Sequence, residues 1–397
     1  MKFQNWCTIG ICCFLIQCFV FAGGHQKAIA LKDIYKTGKI EFVPVLKISK
    51  DSLPADIPFK GIYSSCRIHD RLYLLDTDCS NIKVFTADGR FLKTFGKEGR
   101  SESELNVPNR MNVIDGQLVV WEIGTRRFSI FNTDGEFKHT LQPFKKGFVD
   151  NFDSPGNGNL VIERTGYSHI GDDVYNAVSI ELYSKNFQLI KVLYQKLLIQ
   201  SRIFKTPGKD PVYLPLPFQP KVSWDILPGN DGKNSNKLVI GCSDAYSIDI
   251  IDTETGKSRT FTTPYSPVRV NEADRIKYFE SFNQYDKDGN VTVQGADQFM
   301  RDNTAFPEYK PVFKRVIADC EGNILIFTYT DSDNGKFSFF ASEFDAFDSD
   351  GQFINHVKIA NDAEISLIQL FSEKGFIFWG RSAEKIMPIG FTKYTVN

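Results

Sequence analysis

Arginine and aromatic side chains at scattered positions are the residues of this chain best suited to hold a ligand. Arg67, Arg110 and Arg315 fall in segments predicted to be innermost strands, and Tyr213 and Trp224 lie in or beside a proline-rich segment. An arginine fork binds a carboxylate through two parallel hydrogen bonds, and aromatic side chains line most ligand pockets. We therefore predict a ligand site at these five residues. The competing interpretation is that they are packing residues and solvated charges.

Carboxylates that end a strand form a second candidate site. Asp76, Glu122 and Glu163 occupy this position in three successive sequence units, and carboxylate oxygens suit a hard cation. An acid at the end of a strand also commonly caps the following turn. Metal ligation at these three residues is thus an alternative to a structural role, and outside that alternative no cofactor is expected.

The familiar catalytic signatures do not occur in the sequence. It contains no G-x-S-x-G nucleophile elbow, no P-loop and no G-x-G-x-x-G fingerprint. The chain carries 47 basic and 48 acidic residues, a balance that argues against nucleic acid as a partner. We predict no catalytic residue, and an enzyme is the less favoured class.

Four cysteines lie beyond the N-terminal segment: Cys66, Cys79, Cys242 and Cys320. They show no C-x-x-C spacing, so they do not indicate a zinc site. Two disulfides in any of three connectivities are one interpretation, and small buried thiols are the other.

The elements that position these residues are predicted from internal repeats. The heptad F-x-x-D-G-x-F occurs as FTADGRF (Phe85–Phe91), FNTDGEF (Phe131–Phe137) and FDSDGQF (Phe347–Phe353). Units 72–95 and 118–141 align without a gap at an offset of 46 residues. Runs rich in Val, Ile, Phe and Tyr between D-G and G-N turns predict antiparallel hairpins, and such units recur six times.

These repeats predict an all-β fold, a six-bladed β-propeller of four-stranded antiparallel blades over residues 39–397. The last unit stops without an outer strand, whereas KIEFVPVLKIS (Lys39–Ser49) is a lone strand ahead of the first unit. We expect this N-terminal strand to pair with the C-terminal unit and close the ring, which would remove exposed sheet edges. Insertions near 202–224 and 271–310 should lie on one face and shape a binding surface.

The N-terminal residues are typical of a targeting segment. Residues 7–22 are apolar, shorter than the roughly 20 residues that span a membrane, so residues 1–22 are predicted to be a signal peptide, with cleavage as late as residue 30. The chain should then be exported to the periplasm or the extracellular space. An uncleaved membrane anchor is the alternative, and a monomer is expected.

The first units resemble the NHL-type repeats of six-bladed β-propellers. The residues that match the pattern are Asp76, Asn81, Phe85, Gly89, Phe95, Gly96, Gly99 and Pro108. The match covers about residues 72–141, and the chain beyond the signal segment is similar to exported bacterial six-bladed propeller proteins. The resemblance implies the fold but not the activity, because propellers include binding proteins, scaffolds, lactonases and lyases.

We therefore expect a binding or interaction module that docks a peptide, a glycan or a protein partner on its loop face. The alternative implied by the resemblance is a metal-dependent hydrolase or lyase, lactonase-like or amidating-lyase-like. Such relatives hold Ca or Zn near the propeller axis. In this chain Asp76, Glu122 and Glu163 would supply the ligands.

Overall fold

The structure is a computed structural model. It describes residues 30–44, 48, 52–156, 158–205, 210–229, 234–285, 291–319, 321–330 and 342–359, together with the backbone of five strands between residues 367 and 395. The predicted signal segment, up to residue 29, lies outside the described residues, as do Cys320 and parts of both predicted insertions (206–209 and 286–290).

Consecutive strands pair into a succession of antiparallel sheets. Helix α1 (Leu31–Tyr35) and strand β1 (Lys39–Pro44) precede them. Sheet I contains β2 (Ile62–Ile68), β3 (Arg71–Asp76), β4 (Asn81–Thr86) and β5 (Phe91–Phe95), with a 3-10 turn at Thr77–Cys79. Sheet II contains β6 (Pro108–Ile114), β7 (Gln117–Glu122), β8 (Arg127–Phe131) and β9 (Phe137–Leu141).

The third sheet is longer than the others. Sheet III contains β10 (Phe148–Asp153), β11 (Leu160–Ile170), β12 (Asp173–Tyr183), β13 (Leu189–Phe204) and β14 (Val212–Pro215). Sheet IV contains β15 (Val222–Pro228), β16 (Asn234–Cys242), β17 (Ser247–Asp252) and β18 (Ser258–Thr262). The β14 strand pairs only with the far end of β13, so the extra length of sheet III projects beyond its four-stranded part.

A mostly irregular insert separates sheet IV from sheet V. It contains α2 (Glu272–Glu280), the short pair β19 (Gln284–Tyr285) and β20 (Val291–Val293), and α3 (Gln298–Asn303). Sheet V contains β21 (Arg315–Ala318), β22 (Ile324–Phe327), β23 (Glu343–Phe347) and β24 (Phe353–Ile359).

The last strands bring the two ends of the chain together. They are β25 (Leu367–Phe371), β26 (Gly375–Trp379), the short pair β27 (Arg381–Ser382) and β28 (Lys385–Ile386), and β29 (Gly390–Thr395). Strand β29 lies between β26 and the N-terminal β1, which it meets antiparallel from Glu41 opposite Thr395 to Pro44 opposite Thr392. Strand β1 also runs parallel to β24 at Lys39 and Ile40.

Each sheet packs face to face against the next. Separate apolar clusters join sheets I and II around Tyr73 and Met111, sheets II and III around Trp121 and Phe152, and sheets IV and V around Ile248. The middle strands are buried on both faces, as in β3, because each sheet lies between two neighbours. This succession of stacked four-stranded sheets is the β-propeller architecture.

Hydrogen bonds also join the first strands of neighbouring sheets. The Ser64 hydroxyl donates to the Met111 carbonyl and accepts from its N–H, both at 3.0 Å. Ser223 repeats the arrangement with Val316, donating at 3.1 Å and accepting at 2.9 Å. The first strand of each sheet is therefore the inner one, and these strands face the propeller axis.

The repeated heptad forms the turn between the third and fourth strands of a sheet. The two Phe of each copy are cross-strand partners, with ring centroids 5.6, 5.8 and 5.4 Å apart in sheets I, II and V. Gly135 has φ +77°, and its N–H bonds to the Asn132 carbonyl at 2.9 Å. A Cβ at Gly135 would meet the Phe95 ring of the preceding sheet at 2.5 Å, so this glycine serves both the turn and the packing between sheets.

Replacing Gly135 by Ala should therefore destabilise the fold through two effects. The positive φ costs about 1 kcal/mol, and the clash with Phe95 adds about 1–3 kcal/mol. Gly116→Ala is the matched control, because Gly116 has φ +73° and nothing within 4 Å of the added Cβ. Chemical denaturation should show a clearly larger loss for Gly135→Ala, and equal losses would contradict the packing role.

Candidate functional site

A group of charged side chains lies on and beside the inner strands, and we call it the axial cluster. Its members are Arg110 (β6), Asp150 and Asp153 (β10), Glu163 (β11), Asp225 (β15) and Arg315 (β21). All six are half-buried. Mutual electrostatic interactions link them across sheets II to V, so the fold gathers residues far apart in sequence.

A β-bulge helps to hold Arg110. The β10 strand shifts register between Val149 and Asn151, which leaves Asp150 as the extra residue of the bulge. The Arg110 Nε donates to the Asp150 carbonyl at 2.8 Å, and its Nη1 donates to the Asn109 carbonyl at 3.1 Å. Among the described residues, Nη2 of Arg110 has no acceptor.

Arg315 is the unusual member of the cluster. Burial lowers the pKa of this guanidinium, and the nearby Arg110 charge lowers it further, whereas Asp225 and Glu163 raise it. An arginine stays charged in proteins. In the described part of the chain, no carboxylate lies within ion-pair distance of Arg315 and no acceptor takes its N–H groups, so this half-buried five-donor fork has no partner from those residues.

Glu163 is oriented by the neighbouring sheet. Trp224 is buried, and its indole Nε1 donates to Glu163 Oε2 at 2.9 Å. Burial raises the pKa of Glu163 to about 7, and the Asp150 charge adds to this, although the Trp224 hydrogen bond opposes it. Trp224 thus positions a carboxyl group instead of offering an open aromatic face.

Two further carboxyl groups titrate near neutrality. Burial raises the pKa of Asp153 to about 7, with a contribution from the Asp225 charge. Burial also raises the pKa of Asp225 to about 6, although it accepts a hydrogen bond from the Ala318 N–H at 3.0 Å. The axial cluster therefore combines two cations with carboxyl groups that change charge between about pH 6 and pH 8.

The structure brings together Arg110, Arg315 and Trp224 from the predicted ligand set, and Glu163 joins them from the predicted metal set. Arg67 lies elsewhere and donates to the carbonyl of His69, two residues along, at 2.8 Å. Tyr213 lies on the projecting β14 strand, 52% exposed, with its ring 6.5 Å from that of His169. Neither contacts the axial cluster among the described residues.

Asp76 and Glu122 serve their own sheets. Asp76 forms a fully buried ion pair with Lys83 at 2.7 Å and accepts from the N–H groups of Lys60 and Gly61, both at 3.0 Å. Glu122 pairs with Arg127 at 2.9 Å and accepts from the Asn106 N–H at 2.8 Å. Their oxygens are occupied within sheets I and II, and the structure does not bring these two acids together with Glu163.

The geometry of the acids described above does not form a metal site. In the described residues, no group of three His, Cys, Asp or Glu side chains is arranged to ligate a metal ion. The predicted set of Asp76, Glu122 and Glu163 does not fit a shared Ca or Zn.

Sequence reasoning missed Asp150, Asp153 and Asp225. Each lies in an inner strand next to apolar residues, in the segments FVDNFD and VSWDILP. The signal that could have identified them is an acidic residue inside a strand-like run, because a charged residue in a buried strand needs a partner or a function. Their partners come from other sheets, which the sequence alone did not reveal.

The insert between sheets IV and V lies at the same end of the propeller as the start of each inner strand. In a four-stranded antiparallel sheet, the inner strand starts at the same end as the turn between the second and third strands. The connection to the next sheet also lies at that end. The insert packs on the projecting part of sheet III through an apolar cluster around Leu214, Tyr278 and Met300. A buried ion pair between Lys310 and Asp274 at 2.9 Å fixes the base of α2. We call the insert the cap.

Comparisons with known proteins agree with the fold. No protein-family model and no curated protein sequence matches the chain. A solved protein of Bacteroides fragilis, described as exported, is 11% identical and covers 94% of this chain and 98% of its own, with a TM-score of 0.52. The match extends over nearly the whole length of both chains, and at this identity it informs the fold alone.

Two enzymes are also similar in structure. Virginiamycin B lyase from Staphylococcus aureus is 11% identical and covers 89% of this chain and 99% of its own, with a TM-score of 0.41. A gluconolactonase from Xanthomonas campestris is 11% identical and covers 84% and 87%, with a TM-score of 0.36. Scores this low support no argument about this chain.

The succession of stacked four-stranded sheets gives the chain a β-propeller fold, and the likeness to the Bacteroides fragilis protein agrees with that fold. The NHL resemblance stays a prediction, since no family model matches.

Cys66, Cys79 and Cys242 are free thiols within the described residues. No helix in the described part is both long and apolar enough to cross a membrane.

The Asp153 carboxyl should make stability depend on pH. Its pKa is raised on folding, so the folded state binds its proton more tightly and stability falls as pH rises from about 4 to about 7. Asp153→Asn removes this loss and should be more stable than the wild type at pH 8, by on the order of 1–2 kcal/mol, with little gain at pH 4.

Asp134→Asn provides a control of opposite sign. Its hydrogen bond with Arg71 lowers the pKa of Asp134, so the variant should lose stability at pH 7, and this loss should shrink as the pH falls below about 4. Denaturant titrations across this range test both variants. A pH-independent difference for Asp153→Asn would show that this carboxyl is not desolvated in the fold.

Proposed function

We propose that the chain is an exported β-propeller binding module that captures a carboxylate-bearing ligand at its axial cluster. The observation that carries the proposal is Arg315, a half-buried charged guanidinium without an acceptor among the described residues. An unpaired charge in such a site is unfavourable. A ligand carboxylate would satisfy it through a bidentate pair.

Arg110 completes the anion site. Its Nη2 is free of described acceptors, and its charge acts on Glu163, as that of Arg315 does. Neighbouring protonated carboxyl groups of Glu163 and Asp153 would donate hydrogen bonds to the hydroxyl or carbonyl groups of the ligand. The ligand is thus a peptide with an exposed carboxylate, an acidic glycan or a partner protein that presents one.

We further infer that the blades number six and form a ring closed by β1. The five sheets I to V and the group β25, β26, β29 and β1 supply these blades, and the antiparallel pairing of β1 with β29 supports closure. Closure by the two chain ends would hold the inner strands at a constant spacing, which a preorganised anion site requires. The predicted signal segment supports export.

A second candidate is a hydrolase or lyase that works at the same axis. It is favoured by the raised pKa of Glu163 and of Asp153, both about 7, because a general acid or base acts best when its pKa lies near the working pH. The role of Ca or Zn in this alternative would need ligands other than Asp76 and Glu122.

Binding should depend on the two axial arginines. Binding arrays identify the source of the carboxylate. They contain short peptides with free C-terminal carboxylates, the same peptides as C-terminal amides, and uronic-acid oligosaccharides. For a compound that binds on the array, calorimetry should show at least tenfold weaker affinity for Arg315→Gln and Arg110→Gln, as expected for the loss of a charge-assisted hydrogen bond of about 1.5–3 kcal/mol.

Arg67→Gln is the matched control, since Arg67 lies in an inner strand and its side-chain hydrogen bond among the described residues stays within its own turn. It should bind like the wild type. Equal binding by the carboxylate and amide peptides, or an unchanged affinity in Arg315→Gln, would overturn the proposal. Turnover of the bound ligand that is lost in Glu163→Gln would favour the enzyme instead.

Ligand affinity should fall as pH rises. Glu163 and Asp153 are mostly protonated at pH 6 and mostly ionised at pH 8, so they add negative charge to the axial cluster over this interval. A ligand carboxylate should bind about three- to tenfold more weakly at pH 8 than at pH 6. In Glu163→Gln the pH dependence should shrink, and a binding constant that rises with pH would contradict the assignment.

A further inference from the structure

The cap contains a cleft of its own, separate from the axial cluster. It has a volume of about 490 Å³ and lies between α2, α3 and the segment that follows α3. The residues that line it include Glu272, Arg275, Phe279, Glu280, Arg301 and Phe306. This volume falls within the range of small-molecule pockets. We call it the cap cleft.

Helix α2 has two faces with different roles. Asp274 and Tyr278, four residues apart, are buried toward the base of the cap, where Asp274 forms both the ion pair with Lys310 and a capping box with Asn271. Arg275 and Phe279, also four residues apart, line the cleft. The buried face therefore fixes the helix, and the other face is held in place to meet a ligand.

Two arginines in the cleft lie against aromatic rings. The Arg275 guanidinium carbon is 5.2 Å from the centroid of the Phe306 ring, and that of Arg301 is 4.8 Å from the Phe279 centroid. Stacking orders a guanidinium without using its N–H groups, which lie in its plane. Both forks are therefore preorganised for an acceptor.

Few of those donors are used within the protein. Arg301 donates through Nε to the Ala296 carbonyl at 3.2 Å. For Arg275, no side-chain hydrogen bond or ion pair occurs among the described residues. The remaining N–H groups of both forks are open to a ligand, next to the two phenylalanine rings.

The acids of the cleft restrict the ligand. Glu280 pairs with Lys277 at 3.0 Å, which offsets its charge. Glu272 lies in the first turn of α2 and forms no ion pair within the described part of the chain. Its charge would repel a second anionic group, so the cleft suits one carboxylate better than a dianion.

We propose that the cap cleft is a binding site for an amphipathic monocarboxylate, an apolar or aromatic group that ends in a single carboxylate. The carboxylate binds the forks of Arg275 and Arg301, and the apolar group packs on Phe279 and Phe306. This site is distinct from the axial cluster and does not depend on the function proposed there.

The probe is 3-phenylpropionate, titrated into the purified full-length chain and followed by calorimetry or by ligand-observed NMR. The wild type should bind it, and Arg275→Gln and Arg301→Gln should each weaken binding at least fivefold. Arg269→Gln is the matched control, because Arg269 also lies in the cap and stacks on an aromatic ring, that of Tyr309, but pairs with Glu308 at 3.0 Å. It should bind as the wild type does.

Three comparison ligands separate the contributions. Propionate, which lacks the ring, and 3-phenylpropionamide, which lacks the charge, should both bind at least tenfold more weakly than the probe. Inorganic phosphate should not compete. Competition by phosphate, or equal binding of the amide, would overturn the proposal.

The affinity of Arg315→Gln for the probe shows which of the two sites binds it. If the probe binds in the cap cleft, its affinity should be unchanged in this axial variant. Affinity lost in Arg315→Gln but kept in Arg275→Gln would assign the probe to the axial cluster and overturn the cap site. Since Arg275 and Arg301 are exposed, melting curves should confirm that their variants remain folded.

Discussion

The face-to-face packing of neighbouring sheets is the constraint on which the rest of the structure depends. The middle strands are buried on both faces, so each sheet needs a neighbour on either side, and separate apolar clusters fill each interface. The packing leaves the inner strands facing the axis, where polar side chains of several sheets converge. The heptad turns serve this packing, because Gly135 and Gly351 each leave room for a Phe ring of the preceding sheet.

The axial cluster is a consequence of that convergence. Its carboxyl groups are held among protein atoms on several sheets, so burial raises the pKa of Asp153, Glu163 and Asp225 toward neutrality. The same surroundings hold Arg315 without a described acceptor. A half-buried guanidinium without an acceptor from the described residues is the physical basis for the proposed carboxylate site. The cap stands at the end where inner strands begin, and its buried Lys310–Asp274 pair fixes α2 beside a second pair of arginines.

Local patterns were sufficient for the sheets themselves. The alternation in segments such as NIKVF and the D-G turns predict hairpins, and these strands and turns occur in sheets I, II and V. Residues 202–224, predicted to be an insertion, contain the end of β13, the whole of β14 and the start of β15, and the predicted insertion 271–310 lies within the cap. The residues of the capping box that starts α2, Asn271 and Asp274, are likewise close in the chain. The sequence also marked Asp76 and Glu122 as acids that end a strand, but it did not reveal that they pair with the buried side chains of Lys83 and Arg127.

By itself, then, the sequence determined the strand pattern, the turns and the repeat, because periodicity and turn chemistry act between residues close in the chain. The tertiary structure decided which charged residues share a site. It gathered Arg110, Glu163, Trp224 and Arg315 with three acids that sequence reasoning had missed, and it placed Arg67 and Tyr213 elsewhere. Those contacts join residues up to about two hundred positions apart. Their proximity is set by how the sheets stack around the axis, and no local pattern encodes that spacing.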